Sequence, residues 1–125
     1  MADIRRYPAA RALLPEASKI AEQEPSEQLR LWSYYEICGS AAFAGDFQLA
    51  NEVLSKIPTD IVLFGRPLYA AAQRDVVFGL LRHDRFDEGL AMASRIEPAR
   101  ERVQALSRMV GLLVDPGQPA LPRYL

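Results

Sequence analysis

Apolar residues in this chain recur at three- and four-residue intervals, and Pro, Gly and Asp punctuate the runs, so the pattern predicts helices joined by short turns. The spacing predicts a helix over residues 15–23, with Pro15 in its first turn, and a shorter helical piece before it, at 9–13. A second helix is expected from Ser26, a good N-cap, to Phe43. Its stripe is Leu31, Tyr34, Tyr35, Cys38, Ala41 and Ala42, and Gly45 stops it. Asp46 caps a third helix whose apolar face is Leu49, Ala50, Val53, Leu54 and Ile57, and Pro58 ends it. Thr59 or Asp60 can cap a short turn before a fourth helix over 67–82. His83 and Asp84 make a tight connection to a fifth at 85–96, burying Phe86, Gly89, Leu90, Ala93 and Ile96. Pro98 opens a sixth helix carrying Val103, Leu106, Val110 and Val114, ended by Asp115-Pro116-Gly117. Strand signals are weak; the one short apolar run, Ile61 to Phe64, is bounded by Asp60 and Gly65.

Three fragments echo one another. Ser-basic-Ile ends at Ile20, Ile57 and Ile96, at intervals of 37 and 39 residues. Phe47 and Phe86 lie 39 apart, each at the start of a short helix, and Pro25, Pro67 and Pro98 precede or open the long ones. A fixed period in this range is the mark of an α-solenoid. The competing account is a six-helix bundle whose short helices look alike by accident.

At these residues the chain resembles the tetratricopeptide-like family. Tyr34, Ile37 and Cys38 match the first helix of its unit, with a small Ala41 where a large residue is usual. Gly45, Asp46, Phe47 and Ala50 match the turn and second helix. In the next copy Val76, Val77, Leu80 and Phe86 fit, Gly89 replaces the alanine, and the turn Arg82-His83-Asp84-Arg85 lacks the glycine. The period exceeds the family's usual ~34 residues, which makes HEAT-type repeats the neighbouring possibility. The resemblance implies an all-α fold, a short right-handed α-solenoid of about three helix-turn-helix units over residues 15–114. An N-terminal segment at 1–14 would precede it, and an extended Pro-containing tail at 115–125 would follow.

Fifteen basic residues stand against sixteen acidic ones. A near-neutral chain lacks the basic surplus of a general nucleic-acid binder. No apolar run approaches the ~20 residues of a membrane span. The first residues lack a signal-peptide core, so a cytoplasmic protein is expected. Thirteen of the basic residues are Arg and Ala is abundant, a usage that hints at a GC-rich bacterial source. Half the residues are hydrophobic, enough for one modest core. With one cysteine, Cys38, and one histidine, His83, neither a disulfide framework nor a His/Cys zinc site is expected, and no phosphate loop or other cofactor motif occurs.

Candidate chemistry is therefore sparse. Cys38 and His83 are the one nucleophile–base pair available, and an all-α enzyme or ligand-binding domain using them is the alternative from another class. Against it, Cys38 falls where the resembling family places a small residue between packed helices. The resemblance also implies that the first helices line a groove. In that register Trp32, Tyr35, Gly39 and Phe43 face it from the second helix, and Arg74, Phe78, Leu81 and Arg82 from the fourth. Aromatics and Arg dominate interface energetics, so the expected partner is another protein, offering a peptide or a helix. Tyr35 also lies on the core stripe, and the two readings compete there. Arg74 and Arg82 can instead pair with Asp75 or Asp87. A third reading is a structural homo-oligomer, because the sixth helix is apolar over residues 109–114.

Overall fold

The computed structural model describes residues 7–114, and the expected tail at 115–125 lies outside them. Six helices are present: α1 (Tyr7–Glu22), α2 (Glu27–Phe43), α3 (Phe47–Leu54), α4 (Leu68–Arg82), α5 (Phe86–Ala93) and α6 (Ala99–Val114). A two-stranded antiparallel ribbon, β1 (Val62–Leu63) with β2 (Arg66–Pro67), interrupts them between α3 and α4. The described residues are thus all-helical apart from that ribbon. Among the described residues no helix is long and apolar enough to cross a membrane.

The punctuation read from sequence positions most of these ends. The Ser26 hydroxyl accepts from the Leu29 N–H and the Asp46 carboxylate from the Leu49 N–H, each satisfying a donor that the first helical turn leaves free. Gly45, at φ 86°, closes α2: its N–H donates to Ala42 O and the Asp46 N–H to Ala41 O. This paired arrangement satisfies two orphan carbonyls at once.

The same turn recurs after α4 without a glycine. Asp84 takes the left-handed conformation at φ 62°, its N–H donates to Leu81 O, and the Arg85 N–H to Leu80 O. Short helices of eight residues follow both turns, starting at Phe47 and Phe86. Both end at a serine whose N–H returns to the residue four before it, Ser55 to Asn51 and Ser94 to Leu90. Two residues on, Ile57 and Ile96 are both fully buried. The two segments therefore share one hydrogen-bond pattern at a 39-residue offset. The third echo has no such environment: Ile20 lies inside α1, 62% exposed.

Long helices α2, α4 and α6 lie side by side in order, and short α3 and α5 pack on them. Contacts between neighbouring long helices advance together, Gly39 with Asp75 and Phe43 with Arg82, then Arg74 with Glu101 and Phe78 with Arg108. The three therefore run in one direction. Helices α2 and α4 approach closely at Ala42 and Gly79, where a Cβ on Gly79 would stand 2.6 Å from Ala42 O. One buried cluster joins α1 to α4 through Leu31, Ile37, Val53, Ile57 and Leu68; a second joins α4 to α6 through Val77, Leu81, Ile96 and Met109.

Several boundaries differ from the sequence reading. Residues 9–13 and 15–22 form one helix, with Pro15 inside it. A proline there forfeits one backbone hydrogen bond and crowds the preceding turn. Pro15 is on the exposed side, and burial of Leu14 and Ala21 against the core holds the helix across it. Helix α5 stops at Ala93, and two residues expected in its buried face are not buried. Phe86 is 41% exposed and Leu90 half exposed, whereas Phe47, the counterpart of Phe86, is only 9% exposed. The reason is tertiary: His83 and Arg85 of the following turn cover Phe47, and no such turn follows α5 among the described residues.

Candidate functional site

The long-helix face carries two aromatic clusters. At its N-terminal end, Trp32 and Tyr35 are neighbours on one side of α2, their ring centroids 5.1 Å apart. The ribbon adds Phe64, whose ring meets Trp32 edge-on at 5.3 Å. Phe64 and Gly65 form the two-residue tip of the hairpin, with φ 53° and 73°. Such tips favour Asn-Gly because both positions need positive φ. A bulky Phe there is strained, and it is 78% exposed. The ribbon is an insertion: residues 58–67 separate Ile57 from α4, while only 97–98 separate the equivalent Ile96 from α6.

Beneath this cluster lies a polar network. Arg66 Nη1 donates to the Tyr35 hydroxyl at 3.2 Å, and the Asp75 carboxylate lies near enough to both to be held down by them. Gly39 makes room for it, since a Cβ there would come within 3.1 Å of Asp75 Oδ2. Burial raises the Asp75 carboxyl above the ordinary carboxylate value, against the pull of Arg74, Tyr35, Arg66 and Arg108. Tyr35 is raised too, first by burial and then by Asp75.

At the other end, the Arg82 guanidinium lies 4.1 Å over the Phe43 ring and its Nε donates to the Tyr7 hydroxyl at 3.4 Å. Between the ends, Phe78 is half-buried with Arg108 over its ring at 5.6 Å. Arg74 is engaged within the fold: its Nη1 meets Glu101 Oε1 at 3.4 Å and Gln104 Oε1 at 3.3 Å, on α6.

The structure thus joins Trp32 to Tyr35 and Phe43 to Arg82. The direct contacts of Arg74 are with Glu101 and Gln104, while its charge still acts on Asp75, and Arg82 bonds Tyr7 where Asp87 was considered from sequence. Leu81, placed on the groove face by register, is buried in the core, packed on Gly89 of α5. Phe64, Arg66 and Tyr7 were missed. The only sequence signal for the first two was the Phe-Gly pair bounded by Asp60, and helical periodicity passes over a hairpin of this size.

Cys38 is fully buried, and its Sγ donates to Ala50 O at 3.5 Å, across α2 and α3. Burial, reinforced by Asp75, pushes its thiol up to about 12. His83 sits in the turn after α4, its Nε2 donating to Phe43 O at 2.9 Å between the rings of Tyr7 and Phe47. No hydrogen bond joins it to Cys38. Among the described residues no cluster of His, Cys, Asp and Glu could hold a metal ion. Open clefts lie on the short-helix side. One runs between α1 and α3 past Lys19, Glu22 and Glu52, another past Asn51, Tyr69 and Arg95. Comparison with protein-family models, with curated proteins and with solved structures gives no match.

Proposed function

We propose that this chain is a short α-helical repeat domain of tetratricopeptide-like type, a small solenoid working as a non-catalytic protein-interaction module in the cytoplasm. An adaptor, a chaperone or a regulatory subunit would use such a domain. It captures a peptide or helix of a partner protein across the long-helix face. The observation that carries the reading is Phe64: a strained aromatic, mostly in solvent, set edge-on to Trp32 by an insertion absent from the equivalent connection. Strain kept in an exposed residue points to a use outside the fold. Trp32, Phe64 and Phe43 are apolar anchors, and Arg82 and Arg66 supply the charged edge. Arg74 contributes through its pair with Glu101, which ties α4 to α6 behind the face.

Speaking against the alternative at Cys38 and His83 is a thiol that burial keeps protonated at neutral pH and that is not hydrogen-bonded to His83, whose Nε2 is engaged with Phe43 O. The test is affinity capture from the native organism, followed by titration of the recovered partner. Trp32→Ala and Phe64→Ala should each weaken binding at least about tenfold, as central aromatic anchors do. Unchanged affinity in both, with the fold intact by circular dichroism, would sink the assignment.

A further inference from the structure

Helix α6 is apolar on two sides. Ala105 and Met109, with Leu106 and Leu112 partly buried beside them, are packed within the cluster that joins it to α4. The other side carries Val103, Val110, Leu113 and Val114, each more than half exposed, with Leu106 at its edge. Each preceding long helix buries one side under a short helix: Cys38 lies against Ala50 of α3, and Leu81 against Gly89 of α5. No helix covers α6 in this way among the described residues.

The spacing of the uncovered stripe says what fits it. Val103, Leu106, Val110 and Leu113 follow intervals of three, four and three, the alternation of a coiled-coil seam. Valine occupies both first positions and leucine both fourth positions, the combination that favours two parallel strands. The flanks are compatible: in a parallel pair Arg102 would face Ser107, so no like charges oppose, while Met109 stays buried against α4. The four most exposed residues present on the order of 400 Å² of apolar surface, enough to mark an interaction site. That is about half of the ~800 Å² each partner buries in a stable interface. A seam of two heptads is too short to hold isolated helices together, but α6 is already folded against α4, so its ordering is complete before association.

We propose that α6 pairs in parallel with α6 of a second copy of this chain, making the protein a two-fold dimer through Val103, Leu106, Val110 and Leu113. This surface contains none of the groove residues, so the two readings stand or fall separately. The test is sedimentation equilibrium of the full 125-residue chain. Twice the 14.0 kDa chain mass is expected at micromolar concentration. Val110→Glu alters an exposed position, so helicity should be unchanged while dimer dissociation rises by at least about a hundredfold, the consequence of burying an unpaired charge. Leu113→Cys should form a disulfide between copies on mild oxidation, because a parallel seam sets position 113 against itself; buried Cys38 does not compete. A chain that stays at the monomer mass overturns the proposal. So does a dimer that Val110→Glu leaves intact, or one that Leu113→Cys never bridges.

Discussion

Phe64 and Asp84 share a backbone conformation and differ in what it serves. Both are non-glycine residues in the left-handed region, which costs roughly 1–2 kcal/mol for an L-residue. At Asp84 the turn is the whole purpose, because Gly45 fills the same place in the earlier copy. Asp84→Gly should therefore stabilise the fold by about 0.5–1 kcal/mol, after the entropy that glycine loses is counted, and chemical denaturation would register it. At Phe64 relief of strain and loss of the edge-on contact with Trp32, itself about 0.5–1.5 kcal/mol, nearly cancel. Phe64→Asn should leave stability within about 1 kcal/mol of the parent while weakening partner binding. A large loss of stability would instead make Phe64 a structural residue.

Cys38 gives a pH dependence at the same scale. Unfolded, its thiol titrates near 9.0; folded, near 12. Between those values the unfolded chain has released a proton that the folded chain retains. Stability therefore falls as pH rises through that window. Cys38→Ala should flatten this alkaline limb, at the cost of a small cavity. In the folded protein the thiol should resist alkylation, and its modification rate should follow denaturant-induced opening. Rapid reaction of the folded protein would contradict the buried assignment.

Among the elements, α2 and α4 cross with backbone close to backbone at Gly79. Gly79→Ala drives a methyl against the Ala42 carbonyl, a backbone atom that cannot step aside, and should cost about 1–3 kcal/mol. Gly89→Ala meets the end of the flexible Leu81 side chain at 3.3 Å and should cost less. Comparing the two melting temperatures tests whether backbone approach, and not volume, sets the penalty. The caps rank in a similar way. Asp46 holds α3 through its carboxylate, while Arg85 in the equivalent place makes no side-chain cap bond and pairs with Glu88 instead. Asp46→Ala should lose about 1 kcal/mol.

For the whole molecule, repetition and its interruptions divide the work. The hydrogen-bond pattern shared at a 39-residue offset shapes α2–α3 and α4–α5 alike. Features that break it are the candidates for function: the inserted ribbon and the uncovered side of α6. Binding should be sensitive to changes on the long-helix face and indifferent to charge reversal at Glu52, on the short-helix side. Equal sensitivity on both sides would place the partner surface elsewhere.

Local chemistry made much of this molecule legible in its sequence. Caps at Ser26 and Asp46, the glycine stop at Gly45, and the periods of α2 and α3 depend on residues within one or two turns, so the chain writes them directly. The likeness of the segments ending at Ile57 and Ile96 was legible for the same reason. Tertiary structure alone decided the rest, because burial depends on what arrives from a distance. Phe47 and Phe86 are the same residue in the same turn, yet only Phe47 is covered, since His83 and Arg85 come from the next unit. Ile20 ends the same tripeptide as Ile57 but faces solvent from the middle of a helix that runs through Pro15. Arg74 looked available for a partner until α6 brought Glu101 and Gln104 to it, and Phe64 acquired meaning only when the ribbon folded it against Trp32.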